Sequence, residues 1–382
     1  MPERNTMKKI QELQQVKGDA YDYYIAGNED TDLFEKIFLV DDIVEEICKP
    51  DKYFLIGEKG SGKTAYSVYM SKSDKINSFC SISLVENTLY QRFLNMKRQK
   101  ALELSSFKDV WINLIYLILA EKIRKEYGET FFSSIKYKQL SKAIDVFYSD
   151  AFKPEFVNAF EFVDNASASI NSMMKQGLFS TGTKASAETS QKYVEQSFQI
   201  SLLKIRDGFE KAFMSVNLKK PTILFVDGID ARPRDIDNEQ YFECLVGLVN
   251  AVLEMNQSFL KEKQIKIMLL IRPDIMYKMP VHNMNQKLRN NSVLLNWVTS
   301  YRKYIDSKLF KIADDYFMKQ QDYSYELGEC WNYYFPYKVE YQEKRKAPDN
   351  PFVEFLRYSL YKPRDILTML NEMVDAPLVA ST

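Results

Sequence analysis

The sequence predicts an α/β fold in which helices cover both faces of a parallel β-sheet. Two observations carry this prediction. Short apolar segments alternate with helical segments along the chain, and the apolar runs are continuous instead of alternating, apart from Asn77–Leu84, in which polar and apolar residues alternate. Continuous apolar runs are typical of parallel strands that are buried on both faces. At 382 residues, of which 46% are hydrophobic and 14% aromatic, the chain suits two or three packed units with substantial cores.

Five segments have the length and composition of strands, and helical patterns precede, separate and follow them. The predicted strands are Tyr53–Ile56, Asn77–Leu84, Thr222–Val226, Ile265–Ile271 and Ser292–Asn296. The main helical patterns around them are a charged N-terminal region that Pro50 ends, Tyr241–Met255, Tyr301–Phe317 and the tail from Phe352. This division predicts an N-terminal helical segment (1–50), a core (51–90 and 215–300) and a C-terminal helical region (301–382).

Residues 91–214 are predicted to form a large helical insertion within the core. The helical patterns Phe107–Tyr127 and Tyr193–Met214 carry apolar stripes, which are more often core than partner surface. The longest apolar run, Val110–Ala120, contains an asparagine and is too short to span a bilayer, so we expect a buried helix. Small and polar residues dominate 164–191, and this segment is predicted to be a mobile loop.

Composition excludes several classes of function. Acidic and basic residues balance at 52 each, so no overall charge would attract nucleic acid or an anionic membrane. His282 is the single histidine, which rules out histidine triads and multi-histidine metal sites. The four cysteines form no CxxC pair, and the charged N-terminus has no apolar stretch of the kind signal peptides need. These features predict a cytoplasmic protein with no membrane contact.

The segment Gly57-Glu58-Lys59-Gly60-Ser61-Gly62-Lys63-Thr64 matches the Walker A pattern GxxxxGK[ST] at every fixed position. A predicted strand precedes it, and a helical segment that includes Ala65 follows it. In such a loop, glycines permit positive φ so that successive backbone amides face phosphate oxygens, and the helix N-terminus adds its positive dipole. We expect Lys63 to contact the β- and γ-phosphates of ATP and Thr64 to place its hydroxyl on Mg²⁺.

An aspartate at the end of a neighbouring strand is predicted to complete the metal site, as a Walker B residue. The buried strand Thr222–Val226 runs directly into Asp227, and Asp230 follows three residues later. We assign Asp227 to Mg²⁺ and consider Asp230 as a candidate for orienting or deprotonating the attacking water. The alternative is that both are ordinary turn aspartates after a strand.

Two arginines are candidates for contacts with the nucleotide. Arg272 ends the strand Ile265–Ile271, and if that strand lies between the other two, its guanidinium emerges where it stabilises charge on the γ-phosphate. Arg364 follows Pro363 at the predicted start of a helix, where proline is favoured. For each arginine the alternative is a surface residue, either capping a strand end or paired with a nearby acid such as Asp365.

These motifs together resemble the additional-strand P-loop ATPases, specifically the AAA-related group that includes STAND and KAP-type NTPases. The strings DGID, LIRPDI and KPRDIL look most like a family of bacterial stand-alone P-loop ATPases. The resemblance covers about 34–84 and 218–372. It implies a P-loop NTPase sheet of order 5-1-4-3-2, a helical or winged-helix lid at the C-terminus, Arg272 as first sensor and Arg364 as second sensor.

One departure from that resemblance bears on the rate of hydrolysis. AAA proteins place a glutamate directly after the metal-binding aspartate, whereas Gly228 occupies this position here. Asp230 instead matches the hhhhDxxD spacing of the KAP and STAND relatives. The expected activity is therefore slow hydrolysis of ATP to ADP and phosphate.

Three functions are compatible with these motifs. The first is an ATP-hydrolysing switch that changes its contacts with a protein partner, in the manner of relatives that serve in bacterial defence against phage or mobile elements. The second is a DNA-linked ATPase of the origin-recognition or transposition type, weakly supported by the basic runs at 97–100 and 344–346. The third is a scaffold that binds ATP without hydrolysing it. A homo-oligomer in which Arg289 or Arg302 acts as an arginine finger is a further alternative.

Overall fold

The computed structural model describes residues 7–25, 32–85, 107–132, 137–150, 202–229, 238–279, 288–339 and 349–375. Several sequence-based interpretations concern segments outside these ranges. They are the loop 164–191, the candidate base Asp230, His282 and both basic runs.

Five parallel strands form one sheet at the centre of the fold, so the predicted parallel α/β class is confirmed. The strand order is β2-β3-β4-β1-β5, which reads 5-1-4-3-2 from the opposite edge. The strands lie within or overlap the five predicted segments, and Asp227 is itself the last residue of β3. The strands are β1 (Phe54–Ile56), β2 (Phe79–Leu84), β3 (Thr222–Asp227), β4 (Ile265–Ile271) and β5 (Ser292–Leu294).

Helices connect successive strands, as parallel strands require. They are α1 (Tyr21–Ile25), α2 (Asp32–Ile37), α3 (Asp42–Cys48), α4 (Lys63–Lys72), α5 (Phe107–Phe132), α6 (Lys138–Asp150), α7 (202–215), α8 (Asn238–Asn256), α9 (Pro273–Lys278), α10 (Lys308–Met318), α11 (Glu329–Tyr334), α12 (Pro351–Ser359) and α13 (Pro363–Asp375). Among the described residues, 3₁₀ helices cover Ile10–Glu12 and Tyr301–Asp306.

The chain divides into two compact units. The first unit comprises Met1–Cys48, Ile56–Lys75 and Val293–Thr382, and the second comprises Lys49–Leu55 and Ile76–Ser292. The phosphate-loop motif therefore belongs to the same unit as the C-terminal helices α10–α13. The strands β2, β3 and β4 belong to the second unit, with Asp227 and Arg272.

The core of the second unit forms where helices α5 and α8 pack against each other and where α8 packs against strand β4 of the sheet. Val110–Ala120, within α5, is buried throughout, as its apolar run predicts. The indole nitrogen of Trp111 donates to the carbonyl oxygen of Cys244 at 3.1 Å and links the two helices. On α8, the amide side chain of Asn256 both donates to and accepts from the backbone of Ile267 on β4, at 2.8 and 2.9 Å. This buried amide is fully paired and holds the helix in register with the strand.

The core of the first unit is rich in aromatic side chains. Trp331 and Phe335 pack face to face at 4.2 Å, among Phe310, Phe317 and Phe352. The composition of the aromatic segment Trp331–Tyr337 is compatible with stacking on bases or docking a partner, but burial in the C-terminal region is the expected explanation. Trp331 and Phe335 are buried, whereas Tyr333 and Tyr337 are exposed.

The prediction of one continuous helix over Tyr301–Phe317 is wrong at one point. A 3₁₀ helix covers Tyr301–Asp306, and α10 begins after Ser307, whose backbone is extended. The Ser307 hydroxyl accepts a hydrogen bond from the backbone amide of Phe310 at 3.1 Å. Serine at an N-cap satisfies an amide that has no partner within the helix, so this residue starts a new helix instead of continuing the previous one.

Within the described part of the chain, no helix combines the length and the apolar character needed to cross a membrane.

Candidate functional site

The site begins where β1 ends and α4 starts. Gly57 follows the buried strand directly, and α4 starts at Lys63 with Gly62 as its N-cap. Gly62 has φ 92° and ψ 10°, a left-handed conformation that L-residues with a side chain rarely adopt. As a glycine, this N-cap has no side chain that could cap the helix. The first backbone amides of an α-helix have no acceptor within the helix itself, and such termini commonly bind anions.

Lys63 curls back over the loop that precedes it. Its ammonium donates to the carbonyl oxygen of Gly57 at 2.8 Å and to that of Glu58 at 3.2 Å, and the residue is only 8% exposed. The side chains of Glu58 and Lys59 are exposed, while Thr64 and Ala65 are half-buried on the first turn of α4. The loop therefore surrounds a buried positive charge at the positive end of a helix.

Ser61 is the most buried polar residue of the loop. It is 2% exposed, and its hydroxyl has no hydrogen-bond partner among the described residues. Its carbonyl oxygen accepts a hydrogen bond of 2.9 Å from the indole nitrogen of Trp297, a residue just beyond β5. Trp297, which no sequence motif indicated, therefore restrains the backbone of the loop at Ser61.

The C-terminal helix α13 also contacts the loop. The backbone amide of Arg364 donates to the carbonyl oxygen of Gly60 at 3.3 Å. A β-carbon built on Gly60 would lie 3.5 Å from Cβ of Arg364 and 3.6 Å from Cδ of Lys362. The structure thus brings Arg364 to the loop as a candidate, together with Lys362, which was not singled out from the sequence although it lies in the same KPRDIL string. The sequence signal that could have identified Lys362 is the pair of basic residues on either side of a proline that starts a helix.

The N-terminal segment supports α4 from another side. Tyr66 on α4 donates its hydroxyl hydrogen to Asp41 at 2.9 Å, and the Lys308 ammonium reaches the same aspartate at 2.7 Å and Asp42 at 2.5 Å. Hydrogen bonding to Lys308 lowers the pKa of Asp42 below its usual value. Burial and the nearby Asp41 raise the pKa of Tyr66. These contacts fix the helix whose first turn carries Lys63 and Thr64.

In the second unit, Asp227 ends β3 with its side chain largely buried, at 7% exposure. Its carboxylate accepts a hydrogen bond of 2.7 Å from the backbone amide of Gly228, and its carbonyl accepts one of 2.8 Å from the amide of Val85. Gly228 has φ 83°, and a β-carbon placed on it would lie 2.9 Å from the carbonyl oxygen of Val85. The backbone here has no room for the glutamate that AAA proteins carry at this position.

Arg272, also in the second unit, follows β4 and precedes α9. Its guanidinium forms a two-point ion pair with Asp274, with N–O distances of 3.0 and 2.8 Å. The carboxylate of Asp274 thus engages the guanidinium at the end of the strand. Any contact of Arg272 with phosphate would compete with Asp274.

The two arginine-finger candidates are both exposed: Arg289 in the second unit and Arg302 in the first.

No family model matches the chain, and no match was found among curated proteins or solved structures.

Proposed function

We propose that this chain binds Mg²⁺–ATP at the loop Gly57–Thr64, hydrolyses it slowly, and works as a nucleotide-dependent switch. One observation carries the proposal: the Lys63 ammonium lies against the loop's own carbonyl oxygens at the N-terminus of α4, whose N-cap residue is a glycine. A polyphosphate would supply oxygens that accept from backbone amides at this helix terminus and negative charge beside the lysine. The match at every fixed position of GxxxxGK[ST] supports the same conclusion.

Magnesium is expected to bind through oxygen ligands. The Thr64 hydroxyl, on the first turn of α4, and the Asp227 carboxylate, at the end of β3, are hypotheses for those ligands, drawn from the sequence pattern. Magnesium would supply neutralisation of the phosphate charge. The choice of ATP over other nucleotides rests on the resemblance to AAA-related ATPases.

Slow turnover is supported by the surroundings of Asp227. Gly228 cannot be replaced by a general base without backbone strain and a close contact with Val85. In this proposal the water is oriented by Asp230, which lies outside the described residues. A positioned base contributes roughly 10²–10⁴-fold to a rate, so its displacement from position 228 to position 230 favours a switch over a motor.

The switch is supported by the contact between the loop and α13. Because the Arg364 amide donates to Gly60, any change of the loop on nucleotide binding acts directly on the first turn of α13. Arg364 is proposed to contact the nucleotide, and Arg272 to contact the γ-phosphate after leaving Asp274. Which protein partner responds, including any role in defence against phage or mobile elements, remains a proposal based on the resemblance alone.

Calorimetry with Mg²⁺–ATP and Mg²⁺–ADP tests the proposal directly. We expect wild-type protein to bind ATP, and Lys63→Ala to lose at least about tenfold in affinity, because a charge-assisted hydrogen bond contributes about 1.5–3 kcal/mol. Lys311→Ala is the matched control, since Lys311 is an exposed lysine on α10 in the same unit. Wild-type protein that binds no nucleotide, or Lys63→Ala protein that binds normally, would overturn the proposal.

Phosphate release separates the remaining alternatives. Asp227→Asn protein that still binds ATP but has lost hydrolysis supports an ATPase, whereas wild-type protein that binds ATP and never releases phosphate indicates a scaffold. Hydrolysis that DNA stimulates in a strongly salt-dependent manner would favour the DNA-linked ATPase. The two basic runs that weakly support this alternative lie outside the described residues.

A further inference from the structure

The segment Leu360–Arg364 crosses the phosphate loop at Gly60. Besides the hydrogen bond from the Arg364 amide, the aliphatic stem of Lys362 lies against this glycine, with Cδ 3.6 Å and Cβ 3.8 Å from the position of a built β-carbon. The ammonium of Lys362 is two bonds beyond Cδ. The aliphatic stem therefore brings the charged end of Lys362 to the neighbourhood of the loop.

Both basic side chains of this segment lack a counter-ion in the described part of the chain. Neither Lys362 nor Arg364 forms an ion pair there, although other lysines and arginines of the same unit do, for example Lys308 and Arg357. Lys63 adds a third positive charge at the same loop. An anion bound at this loop would be attracted by each of these positive charges.

The backbone of this segment is held in an unfavourable conformation. The link from α12 to α13 contains two consecutive non-glycine residues with positive φ, Leu360 at 50° and Tyr361 at 60°. Each costs roughly 1–2 kcal/mol relative to an ordinary conformation. The Tyr361 ring stacks on Tyr301 at 6.3 Å, and the guanidinium of Arg357 lies 5.1 Å from the centre of the Tyr301 ring. Strain that neighbouring packing maintains is typical of functional sites.

We propose that Lys362 binds the phosphate chain of the nucleotide, as a second cation that the C-terminal helices supply beside Arg364. The inference rests on the proposed function, because it places the ligand at the same loop. An ammonium is suited to this task since it acts as a point charge and needs no fixed orientation towards phosphate oxygens. The competing explanation is that only the aliphatic stem of Lys362 matters, as packing against Gly60.

The full-length chain, titrated with Mg²⁺–ATP and Mg²⁺–ADP by calorimetry at several salt concentrations, tests the inference. Lys362→Met keeps the length and the apolar stem but removes the charge, and Lys362→Arg keeps the charge. We expect Lys362→Met to weaken ATP binding about tenfold and to reduce its salt dependence, whereas Lys362→Arg stays within about threefold of wild type. Lys362→Gln is a second charge-removing variant, and Lys311→Met is the control for loss of a lysine elsewhere in the unit.

The outcomes distinguish this inference from the proposed function. If wild type binds ATP and Lys63→Ala does not, but Lys362→Met and Lys362→Gln bind within twofold of wild type, Lys362 contributes only packing and the inference alone fails. If wild type itself binds no nucleotide, the proposed function fails and the inference fails with it.

Discussion

The indole of Trp297 donates a hydrogen bond to the carbonyl oxygen of Ser61 at 2.9 Å, across 236 residues of sequence. This contact joins Trp297, which lies shortly after β5, to the centre of the phosphate-loop motif. Because the acceptor is a backbone carbonyl, the bond constrains the path of the loop without occupying any amide that faces a ligand.

Replacing this tryptophan tests the constraint. We expect Trp297→Phe to weaken Mg²⁺–ATP binding about fivefold, since a neutral hydrogen bond contributes about 1 kcal/mol and the loop must then be ordered by the ligand. Calorimetry measures the change, and Tyr337→Phe, at an exposed tyrosine of the same unit, is the control. Affinity that is unchanged in Trp297→Phe would mean that the loop keeps its conformation without the bond.

A glutamate placed after Asp227 is expected to harm the protein instead of accelerating hydrolysis. Gly228→Glu forces a side chain into a conformation of φ 83° and brings its β-carbon 2.9 Å from a backbone oxygen. We expect the free energy of unfolding to fall by about 2 kcal/mol or more, measured by urea denaturation. At Gly208 on α7 a β-carbon would meet no atom within 4 Å, so Gly208→Glu is the matched control and should not destabilise. A stable Gly228→Glu protein with faster phosphate release would contradict this account of slow turnover.

The pairing of Arg272 with Asp274 predicts a gain of affinity. If Arg272 contacts the γ-phosphate, Asp274→Asn removes its competitor, and ATP should bind about two- to fivefold more tightly while ADP binding stays the same. The effect is small because both side chains are partly solvated, at 26% and 44% exposure. Arg272→Ala made in the Asp274→Asn background should abolish the gain. Equal changes for ATP and ADP would indicate that Arg272 does not sense the γ-phosphate.

Stability of the first unit is expected to depend on Asp314. This fully buried carboxylate accepts hydrogen bonds from the backbone amides of Gly328 at 2.7 Å and Trp331 at 2.8 Å, at the start of α11. Asp314→Asn replaces one acceptor oxygen by a donor and should cost about 1–3 kcal/mol in urea denaturation. Asp315→Asn is the control, because the Asp315 side chain forms no hydrogen bond in the described part of the chain. Equal stability of the two variants would argue against this capping role.

The raised pKa of Asp314 predicts how the free energy of unfolding depends on pH. Burial raises the pKa of Asp314 above 3.8, despite the two backbone hydrogen bonds. The folded protein therefore holds this proton more tightly than the unfolded chain, so the resulting stability is fully present below pH 3.8 and is lost as pH rises through the raised pKa. The stability advantage of wild type over Asp314→Asn should accordingly shrink over that window. A stability advantage of wild type that grows with pH would contradict a raised pKa of Asp314 in the folded protein.

Local patterns were sufficient to predict the strands and several helices. β4 was predicted at its exact bounds, Ile265–Ile271, because a strand buried on both faces is a nearly continuous apolar run, here interrupted by Lys266 alone. Proline at the first position likewise marked the start of α13. The break before α10 was missed because Ser307 reads as an ordinary residue within a helical pattern, and only its hydrogen bond to Phe310 identifies it as a cap.

The sequence by itself determined the chemistry that we propose for the loop, since glycines, a lysine and a threonine at fixed spacing match a pattern whose backbone binds phosphate. It also determined the α/β class, because the periodicity of apolar residues is a local property. Only the tertiary structure decided which distant residues contact the loop: the Trp297 indole at Ser61, and the Lys362 stem and Arg364 amide at Gly60. Such contacts depend on how a whole core packs, and therefore no short segment of sequence encodes them.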